Sequence, residues 1–357
     1  MEYIFTERAH LMCPNMNFGI VEVVNKTFDA NRIKEVILKL SDAHPFLCAL
    51  LGYEKEKSAF FYDITDSSKT DIIISDDEVS GIDAPKVIAE YERLLSYDWN
   101  LFEEGMLKVV TWKMRDKTCI LLVFHHLLAD GRGALGLAKE LADYYVEGTE
   151  PRFAPERLIS SKEDFPKKSE MPLISRFLVK KANKDWLKEN QKVSYQEYHV
   201  FANEFLKNDS VKHSMNHVNK ATLKDIICRC HDNGVSVNDY LLAKMFVMDD
   251  TNKIIIASDL RERLSFYTPG SMGNYSTAFS IELKKKNSDL FSVAKKVHRQ
   301  VHKKMNKLSD LYLVLQCYAN LDAEIIDVAF ISCRGNFNSK TGKFIGSMFF
   351  GYDDSKG

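Results

Sequence analysis

The feature that most constrains this chain is an unbroken apolar run, Cys119 to Phe124, that ends in two adjacent histidines, His125 and His126. A run of this length with no polar alternation predicts a strand covered on both faces. Side chains alternate along a strand, so His125 and His126 point to opposite sides, one able to face a cavity while the other is held in the core. Leu127, Leu128, Ala129, Asp130 and Gly131 follow. Gly131 offers the backbone freedom to turn into the next helix, and Asp130 sits where it can either orient the segment or cap that helix.

The surrounding chain reads as an alternation of strands and amphipathic helices. Phe18 to Val24 is strand-like, and Asp29 is a good N-cap for a helix whose Ile33, Val36, Ile37 and Leu40 share one face. Beyond the histidines, Leu135, Ala138, Leu141, Ala142 and Tyr145 predict a second apolar stripe. From Gly148 to Glu170 three prolines mix with serine and charge and no apolar period appears, which marks a crossover. The expected division is therefore residues 1–150, a linker over 151–170, and a second subdomain over 171–357. In that second part Met171 to Lys192 reads as a helix starting at Pro172, and further helices begin near 222 and 237. Ser236 and Asp239 form a capping box for the last of these, while Lys253–Asp259 and Thr277–Leu283 are strand-like. Each half is expected to hold a mixed sheet with helices.

Composition narrows the class of protein. At 357 residues the chain exceeds one comfortable core. A net charge of -1 gives no reason to expect nucleic acid. No apolar stretch approaches the roughly 20 residues that span a bilayer, and the N-terminus has no basic-then-apolar leader, so a cytoplasmic protein is expected. Seven scattered cysteines fit reduced thiols. Cys228, Cys230 and His231 invite a metal reading, but they fall in a helical segment where residues two apart point about 200° from each other, so no metal is expected. Gly131, Gly133 and Gly136 spell a dinucleotide-type turn, yet six residues separate the strand from the first glycine, and no second strand with a terminal acid follows. Close helix packing is the better account of those glycines. Lys295, Lys296, Arg299, Lys303 and Lys304 line one helical face opposite Val293, Val297, Val301 and Met305, a solvated face in preference to a phosphate dock.

Taken together, the His-His-x-x-x-Asp-Gly segment resembles the motif of the chloramphenicol acetyltransferase-like superfamily, which includes condensation domains, alcohol O-acetyltransferases and wax ester synthases. The resemblance continues through His44-Pro45-Phe46-Leu47, the entry Gly234 to Asp239, Asp259-Leu260-Arg261, Gly273-Asn274 and Phe330-Ile331-Ser332 with Gly335, the last resembling a strand end. It implies an α/β fold with mixed sheets, built as two similar subdomains with an active-site tunnel between them. It implies His126 as general base and His125 as a structural neighbour. Asp130 would pair with Arg261 across the halves, the helix cap remaining the alternative. Asn274 would line the tunnel, and Ser276 is a candidate oxyanion donor.

Imidazole titrates near neutrality, so a neutral ring can take a proton from an alcohol or amine as it attacks a thioester. The expected activity is acyl transfer from an acyl-coenzyme A thioester, held as co-substrate without a permanent cofactor, to a hydroxyl or amine. The alternatives are carrier-protein-dependent condensation with a phosphopantetheinyl donor, and a non-catalytic binding protein of the same fold. Related chains usually carry a further strand and helix beyond the position of Gly335, and neither the Asp-Phe-Gly-Trp-Gly motif nor a Leu-Gly-Gly-x-Ser carrier site is present. This leaves the completeness of the tunnel open between a compact free-standing enzyme, a shortened chain and a protein that keeps the fold without turnover.

Overall fold

The computed structural model describes residues 2–14, 16–208, 213, 216–248, 251–283 and 289–351. The charged run Lys284 to Lys286 lies outside them. The first half runs β1 (Glu2–Tyr3), α1 (Arg8–Leu11), β2 (Asn17–Val24), α2 (Ala30–Ala43), β3 (Ala49–Glu54), β4 (Ala59–Ile64), β5 (Asp71–Glu78), α3 (Pro85–Leu95), β6 (Leu107–Met114), β7 (Lys117–His125) and α4 (Gly131–Glu147). The second half holds α5 (Leu173–Glu189), α6 (Tyr195–Asn208), α7 (Lys220–Asp232), α8 (Val237–Met248), β8 (Lys253–Asp259), β9 (Ser276–Glu282), α9 (Leu290–Asn306), α10 (Leu308–Leu311), α11 (Leu313–Asn320), α12 (Ala323–Cys333) and α13 (Lys340–Ile345). A π-helical turn, Gly346–Phe350, follows α13 directly.

The apolar run becomes β7, an interior strand of a four-stranded mixed sheet in the order β2-β7-β6-β5. It pairs antiparallel with β2 from Asn17 opposite His125 to Val24 opposite Thr118, and antiparallel with β6. Cys119 through Phe124 are completely buried, as a strand with no polar alternation requires. Helix α4 packs on β2, α3 packs on β2 and β7, and α2 packs against α4. Asp29 caps α2 by accepting from the amides of Asn31 and Arg32. On α4 the buried face is Ala134, Leu137, Ala138, Leu141, Tyr144 and Tyr145, whereas Leu135 is 60% exposed. The expected stripe is thus rotated at its start, with Gly133 and Ala134 facing inward in place of Leu135.

Among the described residues the second half carries only a two-stranded antiparallel ribbon, β8 with β9, so the expectation of a mixed sheet in each half needs correcting. Phe330-Ile331-Ser332, expected as a strand end, belongs to α12. Nine of its eleven residues, Ile325 to Cys333, are buried, and a segment buried on every side loses the 3.6-residue period that separates helix from strand. Asp322 caps it through the amide of Glu324. The capping box at Ser236 and Asp239 forms in both directions, and on α7 Cys228 is exposed while Cys230 is buried.

The linker is packed against the first half: Ala154, Leu158 and Ile159 are buried, and the Glu156 carboxylate lies 3.5 Å from Nδ1 of His44, whose Nε2 is 2.7 Å from Glu140. The N-terminal segment crosses in the other direction. Arg8 on α1 makes a two-pronged, buried pair with Asp327 on α12, its Nε 2.8 Å and its Nη2 2.6 Å from the carboxylate oxygens. No described helix is long and apolar enough to cross a membrane.

Candidate functional site

β7 delivers His125 as its last residue and His126 as the first beyond it. The amide of His126 donates to the Met16 carbonyl at 2.8 Å, and the amide of Leu128 closes a turn on the His125 carbonyl. The two rings part as alternation demands. His125 is buried, its Nδ1 accepts from the Leu127 amide at 3.2 Å, and its edge meets the Trp99 ring. Burial first, then the nearness of His126 and His199, pushes its pKa down to about 3. It is a neutral ring whose single proton sits on Nε2.

His126 is partly exposed, and its Nδ1 lies 3.1 Å from Oδ1 of Asn274. The amide nitrogen of Asn274 donates to the carbonyls of His126, at 2.7 Å, and Leu127, at 3.1 Å. Those two acceptors fix which end of the Asn274 amide is oxygen, so His126 Nδ1 must be the donor. In the neutral ring the lone pair then lies on Nε2. Asn274, expected to line a tunnel, orients the candidate base across the two halves.

One residue at the site left no sequence signal. His10, on the four-residue α1, stacks on His126 with ring centroids 4.3 Å apart and planes 13° from parallel, while Phe18 packs at 5.2 Å. Burial, followed by the proximity of His126 and His125, holds His10 well below the ordinary histidine range. Its Nδ1 is buried with no hydrogen-bond partner among the described residues.

The Asp130 carboxylate satisfies both readings of it at once. Oδ1 accepts from the amides of Arg132 and Gly133, capping α4, and from Nη2 of Arg261 at 2.8 Å; Oδ2 accepts from Nη1 of Arg261 at 2.9 Å and from the Tyr275 amide. Burial works to lower the Arg261 pKa, but Asp130 and Asp259 more than offset it, and the net shift is upward. Gly133 makes this approach possible, since a Cβ there would stand 3.2 Å from Arg261 Nη2 and 3.3 Å from the Gly273 backbone. Gly131 plays no such part: it is the first residue of α4, has no positive φ, and a Cβ on it would meet nothing within 4 Å. The same is true of Gly136, so of the three glycines only Gly133 serves close packing. Ser276 opens β9 opposite Asp259, and no hydrogen bond joins it to His126.

A cavity of about 270 Å³ begins at Ala9, His10 and Met16 and extends along the ribbon toward Lys253 and Lys304. His126 is not among its walls, because the His10 ring stands between. The expected opening directly onto His126 is therefore covered on one face by a second imidazole.

Comparison with solved structures places this architecture in a known class: the chain has the chloramphenicol acetyltransferase-like fold, built of two subdomains and shared by condensation and epimerization domains. It is similar to the first condensation domain of the calcium-dependent antibiotic synthetase in complex with a substrate analogue (TM-score 0.55, 12% identity, 86% of this chain and 74% of that one). It is also similar to the condensation domain of the Monacolin K polyketide synthase MokA (0.52, 11%, 87% and 72%) and to polyketide synthase associated protein 5 from Mycobacterium tuberculosis (0.50, 14%, 92% and 78%). No protein-family model and no curated protein sequence matches the chain.

Proposed function

We propose that this protein is an acyltransferase of the condensation type, moving an acyl group from a thioester on a phosphopantetheinyl carrier protein to a hydroxyl or amine. The observation that carries the reading is the His126–Asn274 contact, which leaves Nε2 as the proton acceptor of a ring held by the other half of the molecule. The incoming nucleophile would give its proton to Nε2 as it bonds to the thioester carbon. Collapse of the tetrahedral adduct breaks the carbon–sulfur bond, and the proton returns to the departing thiolate. The Asp130–Arg261 pair positions the loop that bears the base. The condensation-domain likeness supports the carrier-borne donor over free coenzyme A. A coenzyme A thioester presents the same pantetheine arm and is the second donor to be compared.

Thiol release from acyl-carrier and acyl-coenzyme A donors, with pooled alcohols and amines, tests this. Wild type should turn over, His126→Ala should lose roughly 10²- to 10⁴-fold, and the preferred donor separates the two sources. Equal turnover by wild type and His126→Ala would refute the base, and no turnover by wild type with any donor would leave a binding protein of this fold.

A further inference from the structure

The cavity beside His10 has a definite direction. Asp259, at one end of the ribbon, is tied to Arg261, and Ala257 pairs with Ala278 two residues further along. From Ala257 to Lys253, whose side chain lines the far end, is four residues, about 13 Å of strand. Its walls over that length are mainly apolar, with Ile255, Ala278, Phe279, Val314 and Phe350, and Ser280 opposite Ile255 is the polar side chain among them. Charge gathers at Lys253, Lys304 and Asp310, the last two 3.5 Å apart. Gly351 brings the C-terminal turn against the ribbon, since it sits at φ +72° and a Cβ there would overlap Ile255. At about 30 Å³ per water-sized group, 270 Å³ admits about nine heavy atoms.

We propose that this cavity, running from His10 beneath the β8–β9 ribbon to Lys253, is the pocket for an unbranched or aryl acyl group of about nine heavy atoms, its carbonyl end beside His10, the ring that stacks on His126. The assignment rests on the acyl-transfer reading and adds to it the size and polarity of the substrate. Each buried methylene contributes about fourfold in affinity, so preference should climb steeply with chain length and then fall once the pocket is full. Chains shorter than the pocket leave apolar wall exposed. Longer ones reach the charged end.

The test uses acyl-pantetheine thioesters of four to fourteen carbons. Turnover is measured on wild type and binding, by calorimetry, on wild type and His126→Ala; both should peak near eight to ten carbons. Ala278→Leu, which pushes a side chain into the cavity, should shorten the best chain by about two carbons, read as a decanoyl-to-butyryl ratio lowered about 10-fold or more. Val314→Phe serves the same purpose from the opposite wall if Ala278→Leu does not fold. Turnover whose length profile is flat, or unmoved by both variants, overturns the pocket and leaves acyl transfer standing. Binding that follows length and shifts with the variants, without any turnover, overturns the transfer reading and leaves the pocket standing.

Discussion

Arg261→Ala should be the most damaging single change away from the reacting atoms. The guanidinium and the Asp130 carboxylate are each 6% exposed, and Arg261 supplies two of the five hydrogen bonds that the carboxylate accepts, along with its counter-charge. Deleting it strands a buried anion, which costs about 3–5 kcal/mol. The anion is the cause, so neutralising it should restore stability: Arg261→Ala with Asp130→Asn keeps an oxygen to cap α4 and should recover about 1–3 kcal/mol of the loss. Urea unfolding of the four proteins in the cycle measures both quantities, and thiol release on the same samples should show turnover falling with the clamp. A single variant less than about 1 kcal/mol below wild type, or a double variant less stable than Arg261→Ala, would refute the argument, since either means that the pair is not a desolvated clamp.

His44 supplies a pH dependence. Burial works against its charged form, but the hydrogen bond to Glu140 and the nearby Glu156 carboxylate raise its pKa to about 9 from an ordinary 6.5. A raised folded value stabilises fully below pH 6.5 and is lost as pH rises through about 9, an upper bound of about 3 kcal/mol. Denaturation of wild type against His44→Gln should show that slope only in wild type; parallel curves from pH 6 to 9.5 would exclude it. Asn274→Ala removes the acceptor for His126 Nδ1 and should lower kcat about 10- to 100-fold by misplacing the ring, with KM changed less than threefold. Unchanged kcat in stopped or continuous thiol assays would remove the orienting role.

The parts of the site that could be read in the sequence were local ones. β7, the histidines at its end and the helix after Asp130 follow from apolar continuity and capping chemistry, and the strand and the helix appear in the expected order. Asp130 was ambiguous between clamp and cap because a carboxylate has acceptor sites for both, and the fold uses them together. The resemblance implies a strand end at Phe330-Ile331-Ser332, and complete burial leaves α12 no apolar period with which to correct it. His10 carries no local signal for a different reason: α1 is four residues long, lacks a side-chain cap, and is placed by contacts distant in sequence, Arg8 with Ser58 and with Asp327. The Asn274 contact spans 148 residues, and nothing near either residue announces it.

The buried Arg8–Asp327 pair bears on how such a chain can be recombined. Splicing two relatives at the 151–170 crossover would carry α1 with the first parent and its acidic anchor with the second. A graft lacking an acid at the position of Asp327 would trap a guanidinium in hydrocarbon and pull His10 off the ring it covers. The exchangeable modules of this molecule are therefore not its front and back portions but a discontinuous set, with the opening residues inherited alongside the final third.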